Sequence, residues 1–289
     1  MIEDKPTLLI FGASNQIGFF LLKRLVAEQG FKLIAISRQP QSPHMAIEWR
    51  QGNLKHDDFS NILADVIIYA APLPLLPALL QNAPTGVKRL IAFGTTSRYT
   101  KTDSRDATER QLAQTYIDAE NAVIQQCQRQ HIAWTLLRPT LVYGCGQDKN
   151  IRFIARFIQR FGFFPLLGQA NGLRQPVHAD DLALACLQVI DCQLSFNRAY
   201  NLSGGSSLTY QQMVEHIFHA LNKPVRLCKL PAFSLAVAVK VLAILPQFRH
   251  LSMSMFERMN QDLFFDHQAA QRDFGFKPRP FQPDRDALN

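Results

Sequence analysis

The sequence predicts an α/β protein in which a parallel sheet is wound on both faces by helices. Three observations predict it. Strand-like apolar runs alternate with segments of helical period through the first half of the chain. A glycine turn, Gly12 to Gly18, joins the first run to the first helix. The opening strand–helix–strand unit takes about 30 residues, the length of one parallel crossover.

Taken in order, Thr7–Phe11 reads as a short buried strand. Gln16–Gln29 carries Ile17, Phe20, Leu21 and Leu25 at helical spacing, and Gly30 is expected to end that helix. Phe31–Ser37, Asp65–Ala70, Arg89–Phe93 and Trp134–Leu137 read as strands, with a long helix over Glu109–Gln130. Beyond Gly146 the character shifts. Helices are expected at Asn150–Phe161, Asp181–Ile190, Thr209–Leu221 and Met255–Leu263, and Arg198–Leu202 reads as a strand returning to the sheet. The expected organisation is a dinucleotide-binding Rossmann domain over 1–146. A smaller substrate-binding subdomain over 147–289 follows, interleaved with the sheet near 174–203.

Composition narrows the setting. The 289 residues can bury a substantial core. The formal net charge of +8 is spread without a dense Lys/Arg block, which argues against nucleic acid and leaves room for a phosphorylated ligand. Five scattered cysteines, with no Cys-x-x-Cys spacing, point away from zinc and toward a reducing compartment. Met1–Lys5 runs into the first strand without a basic and apolar leader, so a cytoplasmic location is expected. Phe233–Leu245, between Pro231 and Pro246, falls short of the ~20 apolar residues needed to span a bilayer and reads as a buried or interface helix. A homodimer stays open.

Gly12, Ser14, Asn15, Gln16, Ile17 and Gly18 occupy the strand-to-helix turn, where backbone N–H groups can receive a pyrophosphate. Gly12 permits the tight turn and Gly18 permits close packing of helix on strand. Asn15, between them, is expected at or near positive φ, since Asn tolerates left-handed backbone. The second strand ends in Arg38, where an acidic residue would bond the ribose 2′-OH of NAD. Arg accommodates a 2′-phosphate instead, so NADP is favoured over NAD.

The usual proton-transfer pair of a nicotinamide enzyme is missing. A Tyr-x-x-x-Lys pair puts an ammonium one helical turn from a phenol and lowers its pKa. The six tyrosines are followed four positions later by Leu73, Asp103, Glu120, Gln147, Gly204 and Val214.

Together these motifs resemble the extended and atypical short-chain dehydrogenase/reductase superfamily. More narrowly, they are similar to the NAD-dependent epimerase/dehydratase family that acts on nucleotide sugars. The turn resembles the family's Gly-x-x-Gly-x-x-Gly, with Asn15 at the middle glycine. Gly52-Asn53-Leu54 matches Gly-Asp-Leu near the adenine, and Ala70-Ala71-Pro72 matches the small residues after the fourth strand. Gly94-Thr95-Thr96-Ser97 matches the Ser/Thr run, and Arg138-Pro139 and Val142-Tyr143-Gly144 match the Arg-Pro and Tyr-Gly elements. The resemblance implies that Asn53, Leu54, Ala70 and Ala71 line the cofactor, and that Asn150 and Arg174 bind substrate. Arg258 stands where a second diphosphate-binding Arg would fall.

Glu120 matches the Glu that follows the family's Lys. That register puts Tyr116 at the Lys position and Leu112 at the Tyr position. Tyr116 and Thr96 are the candidate catalytic groups, with Tyr116 expected to project toward Thr96. Tyr99 and Lys101, in the loop after the fifth strand, are a further polar pair. Two functions stay open: an NAD(P)-dependent epimerase, dehydratase or reductase acting on a nucleotide sugar or similar anionic substrate, and a non-catalytic NAD(P)-binding regulator or accessory subunit.

Overall fold

The computed structural model describes residues 5–148, 150–230 and 258–288. Seven parallel strands form the central sheet. Six follow in chain order: β1 (Thr7–Phe11), β2 (Lys32–Ser37), β3 (Ile47–Gln51), β4 (Val66–Tyr69), β5 (Arg89–Phe93) and β6 (Ala133–Pro139). The seventh, Arg198–Leu202, pairs with β6 at the edge, so the order across the sheet is Arg198–Leu202, β6, β5, β4, β1, β2, β3. The chain therefore reverses direction between β1 and β4, and the crevice at that switch point opens at the carboxyl ends of the strands.

Period-two alternation sorts the strand side chains to two faces. Leu8, Ile10, Leu33, Ala35, Ile68 and Ile91 meet α1 (Gln16–Glu28) and the helix Ala179–Gln188. Leu9, Phe11, Ile34, Ile36, Ile67 and Leu90 meet α2 (Leu76–Gln81) and the long helix Ala107–Arg129. Both faces are buried, which is why these strands carry near-continuous apolar runs. A third apolar cluster gathers the helices Ile151–Phe161 and Tyr210–Ala220 with Tyr143, Phe164 and Phe281, and walls the crevice from the side away from the sheet.

Element ends differ from the sequence expectation for local reasons. Gln29, not Gly30, takes the left-handed position that closes α1, at φ 53°. The long helix starts at Ala107 because Asp106 caps it, accepting from the Thr108 N–H. The helix expected over Asn150–Phe161 is capped two residues earlier than its first polar residue suggests, by Asp148 rather than by the Asn150 side chain. β3 went unrecognised; its exposed edge leaves little apolar signal. Of the helix expected over Met255–Leu263, the described part is one 3-10 turn, Arg258–Asn260, after which Leu263 N–H bonds Leu173 O. The apolar segment Phe233–Leu245 lies outside the described residues. No described helix is long and apolar enough to cross a membrane. All five cysteines are free thiols, and no cluster of metal-ligating side chains occurs among the described residues.

Candidate functional site

The glycine turn is built for close backbone approach. A Cβ at Gly12 would lie 2.7 Å from Ala70 C and Ala71 N, and one at Gly18 only 2.4 Å from Gly12 O. Gly12 carries the positive φ of the turn, 77°. Asn15 does not: it has φ −86° and ψ 176°, extended backbone, which corrects the expectation of a left-handed Asn. It is instead the N-cap of α1. Its Oδ1 accepts from Ile17 N–H and Gly18 N–H, both at 2.9 Å, while its Nδ2 donates to Ala70 O at 2.6 Å. The geometry fits a dinucleotide at the two glycines. At the middle position an amide side chain already satisfies two of the N–H groups that a pyrophosphate would engage.

Around this turn, Ser14 and Gln16 face opposite ways: Ser14 lines a shallow apolar recess with Phe19 and Trp49, and Gln16 lines the main cavity. Arg38 is exposed at the end of β2, and its carbonyl accepts from Gln51 Nε2. Asn53 spends its side chain locally, accepting from Lys55 N–H, and Leu54 packs against the core beside it.

The main cavity, about 480 Å³, opens between the carboxyl ends of β5 and β6 and the third apolar cluster. Thr95, Thr96 and Thr140 line its sheet side, and Asp148, Asn150, Arg174, Tyr210 and Arg258 its far side. Thr96 is buried, and its Oγ1 donates to Pro139 O at 3.1 Å. Asn150 is exposed and lines the cavity from the start of its helix. Arg174 lies under Tyr210, its guanidinium carbon 5.3 Å from the ring centre. It donates to the carbonyls of Leu173, Gln261 and Arg258, and burial draws its pKa down to about 10. Arg258 pairs with Glu109, which Lys101 also approaches at 3.4 Å. Burial raises the Glu109 carboxyl, but the Ser104 hydroxyl and Arg258 outweigh it and hold it below its ordinary value. Of the candidate residues, Gln16, Thr96, Asn150, Arg174 and Arg258 line this cavity, and both candidate diphosphate arginines are already engaged by protein groups.

Asp148 was missed as a cavity residue. One carboxylate oxygen accepts from the N–H groups of Asn150, Ile151 and Arg152. The other is buried with no partner among the described residues. Burial raises this carboxyl despite those backbone bonds. An Asp just ahead of an apolar-periodic run was the available signal.

The structure separates the two candidate catalytic groups. Thr96 lines the cavity; Tyr116 is half-buried against the apolar cluster that holds Tyr69, and burial raises its pKa. The group that the helix presents to the end of β5 is Glu120, not Tyr116. A Cβ at Gly94 would meet Glu120 Oε1 at 2.8 Å. Glu120 is wholly buried between Arg98 and Arg138, with Arg138 Nη2 at 2.6 Å from Oε2. Arg138 Nη1 also donates to Tyr99 Oη at 2.7 Å. Lys101 turns to Glu109 and leaves Tyr99 to the two arginines.

Residues 67–203 match the NAD dependent epimerase/dehydratase family. This region belongs to that family. The matched segment runs from β4 through the edge strand Arg198–Leu202 and includes Thr96, Glu120, Arg138 and Arg174. An uncharacterised protein of Sinorhizobium fredii is 23% identical over 94% of this chain and 75% of its own length. Subunit 9 of the NADH dehydrogenase 1 alpha subcomplex of Arabidopsis thaliana is 29% identical, over 36% of this chain and 26% of its own. Among solved structures, a UDP-glucuronic acid 4-epimerase from Bacillus cereus in complex with NAD superposes with a TM-score of 0.73 at 15% identity. It covers 98% of this chain and 96% of that one. At that identity the superposition establishes the fold alone.

Proposed function

We propose that this protein is an NAD(P)-dependent epimerase, dehydratase or reductase acting on a nucleotide sugar or a similar anionic substrate. The observation that carries the proposal is the cavity at the strand ends. It is bordered by Gln16 of the dinucleotide turn and by Thr95 and Thr96, and lined by Lys101, Arg174 and Arg258. Gly12, Gly18, Ala70 and Ala71 would hold the dinucleotide, with the nicotinamide end toward Thr96. The bound nicotinamide supplies an acceptor or donor of a hydrogen with its electron pair. Arg174 and Arg258 would orient the diphosphate, Arg258 by exchanging Glu109 for phosphate oxygens. Asn150 would bond the ligand from the helix start, and Thr96 would hold a substrate hydroxyl.

We assign the cofactor preference to NADP; the exposure of Arg38 at the end of β2 supports it. A cytoplasmic homodimer, divided near residue 146 into dinucleotide-binding and substrate-binding parts, accords with this reading. Mass spectrometry of small molecules retained through purification tests it, together with calorimetric titration of UDP-glucuronic acid into the NAD⁺-loaded protein. The reading fails if no nucleotide or nucleotide sugar is retained and none binds.

A second reading has its own support. The plant NADH dehydrogenase subunit is a relative over part of the chain, and the Tyr-x-x-x-Lys pair is missing. A dinucleotide-binding accessory subunit would retain NAD(P) yet show no single turnover with any nucleotide sugar.

A further inference from the structure

The proton-transfer pair missing from the helix has a tertiary counterpart. Tyr99 belongs to the short helix Ser97–Thr100, directly after β5. Its Oη lies 2.7 Å from Nη1 of Arg138, at the end of the neighbouring strand β6. The two residues are 39 positions apart in the chain. Arg138 and Arg98 both approach the Tyr99 ring, with guanidinium carbons 5.7 and 5.3 Å from its centre. Glu120 pairs with both, so two positive groups and one negative group stand behind the phenol.

Tyr99 stands beside the main cavity, between residues that line it. It is 43% exposed, unlike the other five tyrosines, which are all buried or half-buried. Its ring packs on Phe265, which lines the main cavity, and Ser97, Thr100 and Lys101 beside it line the same cavity. The guanidinium has donors and no acceptor, so Tyr99 Oη accepts from Arg138 and keeps its own hydrogen for another partner.

We infer that Tyr99 is the proton-transfer group of this site and that Arg138 takes the place of the missing Lys. The assignment rests on the proposed nicotinamide-dependent function. In the reductive direction a bound reduced nicotinamide would supply a hydrogen with its electron pair to a substrate carbonyl carbon and would itself be oxidised. The carbonyl gains the Tyr99 Oη proton at oxygen; the C=O double bond becomes a C–O single bond. The phenolate left behind is stabilised by the Arg138 N–H. In the oxidative direction the same atoms run in reverse, and the proton of the substrate hydroxyl returns to Tyr99. Glu120 is a positioning residue: it fixes the Arg138 plane and does not touch the ligand. Glu120 also explains why an acidic residue follows Tyr116 by one helical turn, since its partners come from β6 and the loop after β5 rather than from its own helix.

Crystals of the full chain with NAD⁺, with and without UDP-glucuronic acid, test the placement without any assay of activity. The expected result puts Tyr99 on the open face of the nicotinamide ring. Its Oη then lies within hydrogen-bond reach of a sugar hydroxyl, directly or through one water. A nicotinamide turned away from Tyr99 overturns the assignment whatever the substrate. If NAD⁺ binds facing Tyr99 while UDP-glucuronic acid neither binds nor reacts, the substrate reading fails and the Tyr99 assignment stands. Failure of both NAD⁺ and NADP⁺ to bind overturns both.

With a turned-over substrate, Tyr99→Phe is expected to lower the single-turnover rate at least tenfold, about 1.4 kcal/mol in the barrier, with NAD⁺ affinity and KM within about twofold. Arg138→Lys should recover part of the rate lost in Arg138→Gln. An unchanged rate in Tyr99→Phe overturns the assignment.

Discussion

Asn15 Nδ2 and Ala70 O, 55 positions apart, meet at 2.6 Å and tie the cap of α1 to the end of β4. The same side chain accepts from Ile17 and Gly18 N–H, so one amide closes the helix start and the crevice floor together. A dinucleotide pyrophosphate would compete with it for those two N–H groups.

Asn15→Gly frees them at a cost of a few tenths of a kcal/mol in helix capping. NAD⁺ affinity is expected to rise in that variant. Asn15→Asp retains the cap but sets a carboxylate against the pyrophosphate, and affinity is expected to fall at least tenfold. Quenching of intrinsic fluorescence reads both. Equal affinity in all three proteins would show that the phosphates bind elsewhere.

Glu120 is wholly buried between two guanidiniums. Removing the carboxylate leaves both charges uncompensated, and breaking a buried pair typically costs about 3–5 kcal/mol. Glu120→Ala is expected to lose that much in urea unfolding, whereas Leu112→Ala, on an exposed face of the same helix, should change stability by less than about 1 kcal/mol. A loss in Glu120→Ala no larger than in Leu112→Ala contradicts the buried triad.

NADPH should bind more tightly than NADH, because Arg38 is exposed at the end of β2 and free to pair with a 2′-phosphate. Arg38→Ala should abolish the difference and leave NADH binding unchanged. Parallel fluorescence titrations decide it; equal affinities in the parent protein rule the preference out.

His178 caps the helix Ala179–Gln188 with Nδ1, which accepts from Asp180 N–H and so is unprotonated. Burial lowers its pKa, reinforced by Arg279 and opposed by Asp181, Asp180 and Asp284. With the folded pKa below the ordinary 6.5, the unfolded chain binds the proton first as pH falls. The contribution of His178 to stability is therefore full above pH 6.5 and is lost progressively below it. His178→Asn keeps an acceptor at the cap and removes the titration. Urea unfolding from pH 7 downward should give a shallower loss of stability in the variant; identical slopes would mean that His178 is not held neutral.

Tyr116 marks where reasoning along one helix stops. Its spacing from Glu120 was legible, and so was the missing Lys, because both are local i, i+4 relations. The side of the helix that faces the end of β5 was not legible, since it depends on how 23 residues of helix lie across the sheet. The structure gives that position to Glu120 and sets Tyr116 against the cluster around Tyr69. Likewise the polar pair of Tyr99 with Lys101, read from adjacency, is replaced by Tyr99 with Arg138, a contact between the short helix after β5 and the end of β6.

By itself the sequence determined the alternation of strands and helices, the glycine turn, and the loss of the helical Tyr and Lys pair. These depend on periodicity and spacing along the backbone. It also carried the segments from which Gln16, Thr96, Asn150, Arg174 and Arg258 come to line one cavity. Only the tertiary structure decided that Asn15 is a cap rather than a left-handed turn residue. Ala70 O, just past the end of β4, holds the Asn15 amide so that its oxygen faces the Ile17 and Gly18 N–H groups. Only the tertiary structure also set Arg98, Arg138, Glu120 and Tyr99 in one cluster. Parallel crossovers bring the ends of β5 and β6 side by side, and a charge buried there must find its partners among whatever residues those ends present.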